Sequence, residues 1–327
     1  MTRLVTIFGG SGFVGRYVAR RLAKDGWRIR VACRNPNEAM FVRTYGVVGQ
    51  VEPIFCNIRD EASVRNALRG ADAVVNCVGV LEESGKNTFR ALQAEAPGRI
   101  ARIAAEEGAT RMVQISAIGA DRDAASEYAR TKALGEENLL EHQPDAVILR
   151  PSIIFGAEDE FFNRFAGMSR LSPVLPVVGA DTLFQPVHVD DVAAAVQVAL
   201  NDLSVKGIYE LGGPEVESFR QLMQRMLRVI NRGNLILNVP FFAARGMAAV
   251  FHYLKIITAG LAPAPLTPDQ VKNLAVDNVV SDGARGFADL GLTPTAMEAV
   301  LPDYLWRFRK SGQYDTIKAS AKNLRTR

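Results

Sequence analysis

Residues 4–15 read LVTIFGGSGFVG, and this stretch narrows the folds open to the chain more than any other. Residues 4–8 form a short apolar run with β-branched Val5, Thr6 and Ile7, which suits a buried strand. Gly9, Gly10, Gly12 and Gly15 follow at once, and then an amphipathic segment at 16–24. The glycines fit both G-x-x-G-x-x-G (Gly9, Gly12, Gly15) and G-x-G-x-x-G (Gly10, Gly12, Gly15). Residues without Cβ let the backbone turn sharply and approach a pyrophosphate, and a later glycine lets the helix pack on the strand. The helix start then presents free N–H groups and a partial positive charge. Ser11, Phe13 and Val14 complete the phosphate-facing loop.

The rest of the first 150 residues alternates in the same way. Strands are predicted at 28–33, 51–56, 73–77, 111–116 and 146–150, with helices at 61–68, 87–108 and 127–140. That order predicts an α/β fold, a Rossmann-type doubly wound parallel sheet. Pro97 falls inside the second of these helices and is expected at a turn boundary or kink. Residues of about 156–184, with Phe161, Phe162 and Phe165 followed by SPVLPVVG, read as an insertion; a helix at 192–200 and a last strand at 207–211 return to the sheet. From residue 214 the pattern changes to an amphipathic helix at 219–230, an unusually apolar stretch at 241–257 and a proline-rich turn at 263–268. A basic tail at 318–327 is expected to be mobile or partner-bound. The predicted division is an NAD(P)-binding domain at 1–213 and a smaller, mainly helical C-terminal lobe with its tail at 214–327.

Length and charge agree with this plan. A chain of 327 residues can bury a large core, and 48% hydrophobic with 23% charged residues is ordinary for a soluble globular protein. The net charge of +4 is spread out and gives no reason to invoke nucleic acid. Cys33, Cys56 and Cys77 lack metal spacing and read as small buried hydrophobes in a reducing compartment. The first strand starts at the fourth residue, so no signal or transit peptide is expected, and no apolar run reaches the ~18 residues of a membrane span.

The second strand ends at Arg34-Asn35-Pro36. An Asp or Glu there would accept from the adenosine ribose hydroxyls, whereas an arginine suits the 2′-phosphate of NADP(H). NADPH is therefore the expected cofactor, gripped by Arg34 with Arg16 assisting. Asn57 and Ile58 follow the third strand at the adenine edge, and Asp60 either joins them or caps the next helix. Cys77, Val78 and Gly79 end the fourth strand, Gly79 letting the cofactor lie close to the backbone; Pro151, Ser152 and Ile153 end the sixth.

Tyr128 and Lys132 stand four apart and share a helix face. A lysine there can hold the nicotinamide ribose and lower the phenol's pKa, and the tyrosine can exchange a proton with a carbonyl or alcohol. Ser116, ending the fifth strand, could hold that oxygen. Tyr314 and Lys318 repeat the spacing in the tail, away from the sheet edge, and receive no role. His188 with Asp190 and Asp191 is read as structural, one aspartate capping the following helix, and no metal site is expected. His142 and His252 are isolated.

Taken together, Gly9, Gly12, Gly15, Arg34, Ser116, Tyr128 and Lys132 resemble the short-chain dehydrogenase/reductase superfamily, of its extended and atypical kind. VVNCVG (74–79) and LRPSIIFG (149–156) add to the likeness. Within it, SAIGAD, YARTKALGEENLL, LRPSIIFGAEDEFFNRFA and FQPVHVDDVAAAV look most like the nucleotide-binding accessory subunits of respiratory complex I, the NADH:ubiquinone oxidoreductase. The resemblance implies a tightly held NADPH used structurally, and docking on other complex I subunits at the junction of the hydrophilic and membrane arms, near the quinone end. The start of the chain implies a bacterial member, peripheral on the cytoplasmic face of the inner membrane. For 241–257, lipid contact stands as a second reading beside a packed lobe helix. One departure bears on turnover. Enzymes of the superfamily often carry an Asn in the long helix before the fifth strand, and here that region reads FRALQAEAPGRIA. Ser116, Tyr128 and Lys132 are then vestigial or cofactor-positioning. The alternative is a soluble NADPH-dependent reductase or nucleotide-sugar epimerase/dehydratase that uses all three.

Overall fold

The computed structural model of the chain describes residues 3–257, 266–310 and 312. Leu4–Phe8 forms strand β1, and Phe13–Lys24 forms helix α1. Then come β2 (Arg28–Cys33), β3 (Val51–Phe55), α2 (Glu61–Leu68), β4 (Ala73–Asn76), α3 (Ala96–Glu106), β5 (Arg111–Ile115), α4 (Glu127–Leu140) and β6 (Val147–Pro151). With Gly207–Leu211 these make one seven-stranded sheet in the order Gly207–Leu211, β6, β5, β4, β1, β2, β3. Every pairing in it is parallel. The chain winds outward from β1 to β3, then crosses back to β4 on the other side of β1. The carboxyl ends of β1 and β4 therefore flank the switch point, where such sheets open a crevice.

Strand periodicity decides which side chain meets which layer. On β1, Thr6 Oγ1 donates to the Ala67 carbonyl of α2 at 2.8 Å. Phe8 joins Leu68, Ile100, Met112 and Leu139 in a buried cluster with α2, α3 and α4. Val5 and Ile7 alternate with them and are fully buried as well. The helix Val189–Asn201 packs beside α1, and Arg21 of α1 donates to both carboxylate oxygens of Asp190 at 2.8 and 2.7 Å. Asp190 thus lies inside the helix's first turn and pairs across to α1, which corrects the expectation that an aspartate here caps the helix.

The helix predicted at 87–108 is two pieces. Residues Arg90–Glu95 form a π-helical turn, and α3 begins at Ala96 with Pro97 in its first turn. Proline lacks the N–H that a continuous α-helix needs and tolerates a helix only near its start, so the wider turn takes up the mismatch.

Two compact units make up the chain. The first joins Met1–Ser152, Val189–Gly212 and Val280–Pro294; the second joins Ile153–His188, Gly213–Val279 and Thr295–Arg327. A single cut after residue 213 is therefore too simple, because 280–294 returns to the first unit. It does so through backbone and side-chain bonds: Glu210 N donates to the Arg285 carbonyl and Ser281 N to Glu210 Oε2, both at 2.8 Å.

The second unit has its own core, in which Phe162, Leu175, Leu222, Met226 and Leu301 are fully buried or nearly so. Phe161 stacks on Phe219 at 5.4 Å within a group of aromatic rings. Buried Asp159 fastens the insertion: its carboxylate accepts from Tyr304 Oη at 2.6 Å and from the amides of Gly156 and Asn163 at 3.1 and 3.0 Å. Val174–Val178 pairs in parallel with Leu235–Val239. The helix Phe241–Ile257 buries Ala244 and Ala248 and exposes Phe242, Met247, Val250 and Tyr253. Among the described residues no helix is long and apolar enough to cross a membrane. Most of the turn at 263–268, the tail at 318–327 and the pair Tyr314 and Lys318 lie outside the described residues.

Candidate functional site

The glycine turn is built from three backbone constraints. Gly9 has φ +72°, a conformation that side chains rarely adopt. A Cβ on Gly15 would sit 2.3 Å from the Gly9 carbonyl oxygen and 2.6 Å from Gly10 Cα, so only glycine lets α1 start this close to the turn. Helix α1 begins at Phe13, earlier than its amphipathic pattern shows, because extended Gly12 serves as its N-cap and offers no side-chain acceptor. The first turn holds no acidic residue. The amides of Phe13, Val14 and Gly15 thus face outward unpaired by the helix, and its dipole adds positive potential: an anion site. Ser11 reaches the Cys33 thiol at the end of β2.

Around the turn, Arg34 is exposed at the end of β2. The Arg16 guanidinium lies 5.0 Å from the Phe41 ring centroid and donates to the carbonyls of Ser11 and Gly12. Asn57 Oδ1 accepts from Arg59 N and Nε, both at 3.2 Å, and Ile58 is buried. Asp60 caps α2, accepting from Ser63 N at 3.3 Å, so of its two readings the cap is the one observed.

The loop after β4 is set by buried amides. Asn76 donates to Gln114 Oε1 at 2.9 Å and accepts from Val78 N at 3.1 Å. Val78 lies against the glycine turn: a Cβ on Gly9 would stand 3.2 Å from Val78 Cγ2. Cys77 and exposed Gly79 follow on the same edge, and a Cβ on Gly79 would be 3.4 Å from Lys132 Nζ. On the far side, buried Pro151 and Ser152 end β6, with Ser152 N donating to Leu211 O at 2.9 Å. Ile153 belongs to the second unit.

Helix α4 brings Tyr128 and Lys132 to this edge. Ser126 caps it, accepting from Ala129 N at 3.1 Å. Lys132 Nζ is buried and donates to the Ile115 carbonyl at 3.3 Å, 5.8 Å from the Tyr128 ring centroid. Burial pulls the Lys132 ammonium down to about 8, with Glu136 and Cys77 opposing. Burial pushes the Tyr128 phenol up to about 12 and the Cys77 thiol up to about 12. In the protein alone the phenol therefore stays protonated at neutral pH.

Ser116 departs from its expected role. Its hydroxyl donates to Glu136 Oε1, and both side chains are buried. Arg150 on β6 holds the same carboxylate, Nε to Oε1 at 3.0 Å and Nη2 to Oε2 at 2.5 Å. Arg150 Nη1 also lies 3.7 Å from Glu210 Oε1. Ser116 is thus a link in a buried ionic network. Glu136, Arg150 and Glu210 were not singled out in the sequence. The available signal was Arg150 ending the apolar run VILR: a guanidinium on a buried strand needs a carboxylate partner.

The residues fit a nicotinamide dinucleotide. The bare helix start suits the pyrophosphate, and Lys132 beside Gly79 a ribose hydroxyl. When bound, such a cofactor supplies hydride chemistry; what this chain supplies is anion binding at α1, a close-approach edge at Gly79 and a cation at Lys132.

Comparison with known proteins agrees with that fit. The family model described as "NAD dependent epimerase/dehydratase family" matches residues 5–212. The chain is 34% identical to "NADH dehydrogenase [ubiquinone] 1 alpha subcomplex subunit 9, mitochondrial" of Arabidopsis thaliana, over 94% of this chain and 79% of that one. It is 27% identical to the "NADH-ubiquinone oxidoreductase 40 kDa subunit, mitochondrial" of Neurospora crassa, over 98% of this chain and 83% of that one. Among solved structures, "MoeE5 in complex with UDP-glucose and NAD" superposes with TM-score 0.68 at 15% identity, over 94% of this chain and 99% of that one, a likeness of fold.

Proposed function

The chain belongs to the NAD dependent epimerase/dehydratase family, and from that premise we propose that it is an NADPH-binding accessory subunit of respiratory complex I. It serves as a structural element, supporting assembly and stability near the junction of the hydrophilic and membrane arms, and turns over no substrate. The observation that carries this reading is similarity over nearly the whole chain to proteins named as subunits of that complex. Ser116 supports the structural role, since its hydroxyl is committed to Glu136. Arg34 supports NADPH: it is exposed beside the glycine turn, where a 2′-phosphate would gain charge-assisted bonds.

The second unit meets the partner subunits. Its helix Phe241–Ile257 contains no acidic residue and exposes Phe242, Met247, Val250 and Tyr253. An apolar face of this kind, on a helix without carboxylates, suits a subunit surface at the membrane edge, and lipid contact through the same face belongs to this reading.

The test is purification from the native membrane. The protein should travel with the respiratory complex and retain NADPH. Arg34→Ala should weaken NADPH binding by at least tenfold and leave NADH binding nearly unchanged; equal effects on both would remove the NADP assignment. Steady NADPH oxidation with quinones, aldehydes or sugar ketones, abolished by Tyr128→Phe, would instead establish the reductase or epimerase alternative.

A further inference from the structure

Three ionic side chains meet under the carboxyl edge of the sheet, and a fourth, Lys132, lies one helical turn away on α4. Glu136 and Glu210 both face Arg150, and all three are buried or half-buried. Two carboxylates against one guanidinium leave one negative charge in a region of low dielectric, where an unbalanced charge is costly. Lys132 stands one helical turn before Glu136 on α4, is itself only 6% exposed, and is a cation that feels the Glu136 charge. The Glu136 carboxylate already accepts from Ser116 and twice from Arg150, so it neutralises Lys132 across space while its hydrogen bonds fix it in place.

We infer that Glu136 is a positioning residue for the nucleotide: it keeps the Lys132 ammonium charged and aimed at the space beside Gly79, and so makes nucleotide retention depend on pH. This rests on the nucleotide-binding reading above and adds the group that controls it. The groups facing Lys132 come from each neighbouring element. They are Glu136 and the Tyr128 ring on α4, the Ile115 carbonyl on β5, the Cys77 thiol after β4 and, behind Glu136, Arg150 on β6. Glu136 is the carboxylate among them, and burial keeps the thiol and the phenol protonated. Burial draws the ammonium down to about 8 and Glu136 resists. A cofactor bearing phosphates favours the charged lysine. Its affinity is therefore full below that value and falls as pH rises through it.

The experiment is titration of NADPH, read by its fluorescence, into the full-length protein between pH 6 and 9.5. The wild type should lose about tenfold in affinity between pH 7 and pH 9, and Lys132→Met should lack this limb. Glu136→Gln, which retains an acceptor for Ser116 and Arg150, should move the limb down by about one pH unit, while Glu136→Asp should restore it. Arg150→Gln leaves the carboxylate's charge unshared and should move the limb upward. The nucleotide-free protein supplies an independent readout, the titration of Lys132 followed by NMR of its Cε. Glu136→Gln should lower that midpoint whether or not a nucleotide binds. An unmoved lysine midpoint, or an Arg150→Gln limb that stays or falls, overturns the positioning role. A shifted lysine midpoint in a protein that binds neither NADPH nor NADH supports the positioning role of Glu136 on Lys132 and overturns the nucleotide-binding reading instead.

Discussion

At the scale of single residues, the site is governed by where charge is buried. Lys132 carries its ammonium inside the protein, and the two states of the chain disagree about its proton. Unfolded, a lysine holds its proton to about pH 10.4, whereas folded Lys132 releases it through about 8. Between these values the unfolded state binds more protons, so this residue makes the nucleotide-free protein more stable as pH rises, by at most about 1.4 kcal/mol per pH unit. Urea denaturation between pH 8 and pH 10 should show that slope in the wild type and a flatter one in Lys132→Met. The same titration weakens nucleotide binding, so stability of the empty protein and affinity for NADPH should move in opposite directions with pH.

At the scale of elements, the controlling event is how closely α4 approaches the π-helical turn before α3. A Cβ on Gly135 would stand 1.9 Å from the Gln93 carbonyl oxygen, and one on Gly98 would be 2.8 Å from Asn138 Cβ. Asn138 Nδ2 bonds the Ala94 carbonyl at 2.9 Å, and Gln93 Nε2 reaches the Val80 carbonyl at 2.6 Å. Gln93 Oε1 also accepts from Thr131 Oγ1 at 3.2 Å. The turn, the loop after β4 and the helix bearing Tyr128 and Lys132 are thus fixed to one another. Gly135→Ala must push α4 away against backbone, a cost of about 3 kcal/mol or more that equilibrium denaturation will measure. Since the displaced helix carries Lys132, NADPH affinity should fall with it.

At the scale of the whole molecule, a ligand that binds only the folded state stabilises it. NADPH at a hundredfold excess over its dissociation constant should add about 2.7 kcal/mol to the unit that contains the glycine turn, seen in calorimetry as a raised transition. Both binding segments, the turn at α1 and the edge at Lys132, lie in the first unit. The second unit should therefore melt with little response to nucleotide, and a single transition that rises with nucleotide would overturn this expectation.

Much of this was legible from local pattern. The seven strands of the sheet, their parallel winding and the glycine turn follow from short-range periodicity and from backbone conformations that only glycine tolerates, properties any window of the chain carries. The placement of Tyr128 and Lys132 on one helix face needed only a spacing of four. Other features depended on residues far apart in sequence. Asp190 joins Arg21, residues 280–294 rejoin the sheet through Glu210, and Ser116 gives its hydroxyl to Glu136 in place of the crevice. A buried charge takes whichever partner the fold brings near, because leaving it alone costs more than any local preference. The sequence by itself thus determined the sheet and the loop that faces the phosphates. Tertiary packing alone decided which ionic groups meet at the ends of β5 and β6, and with them the proton state of Lys132 on α4.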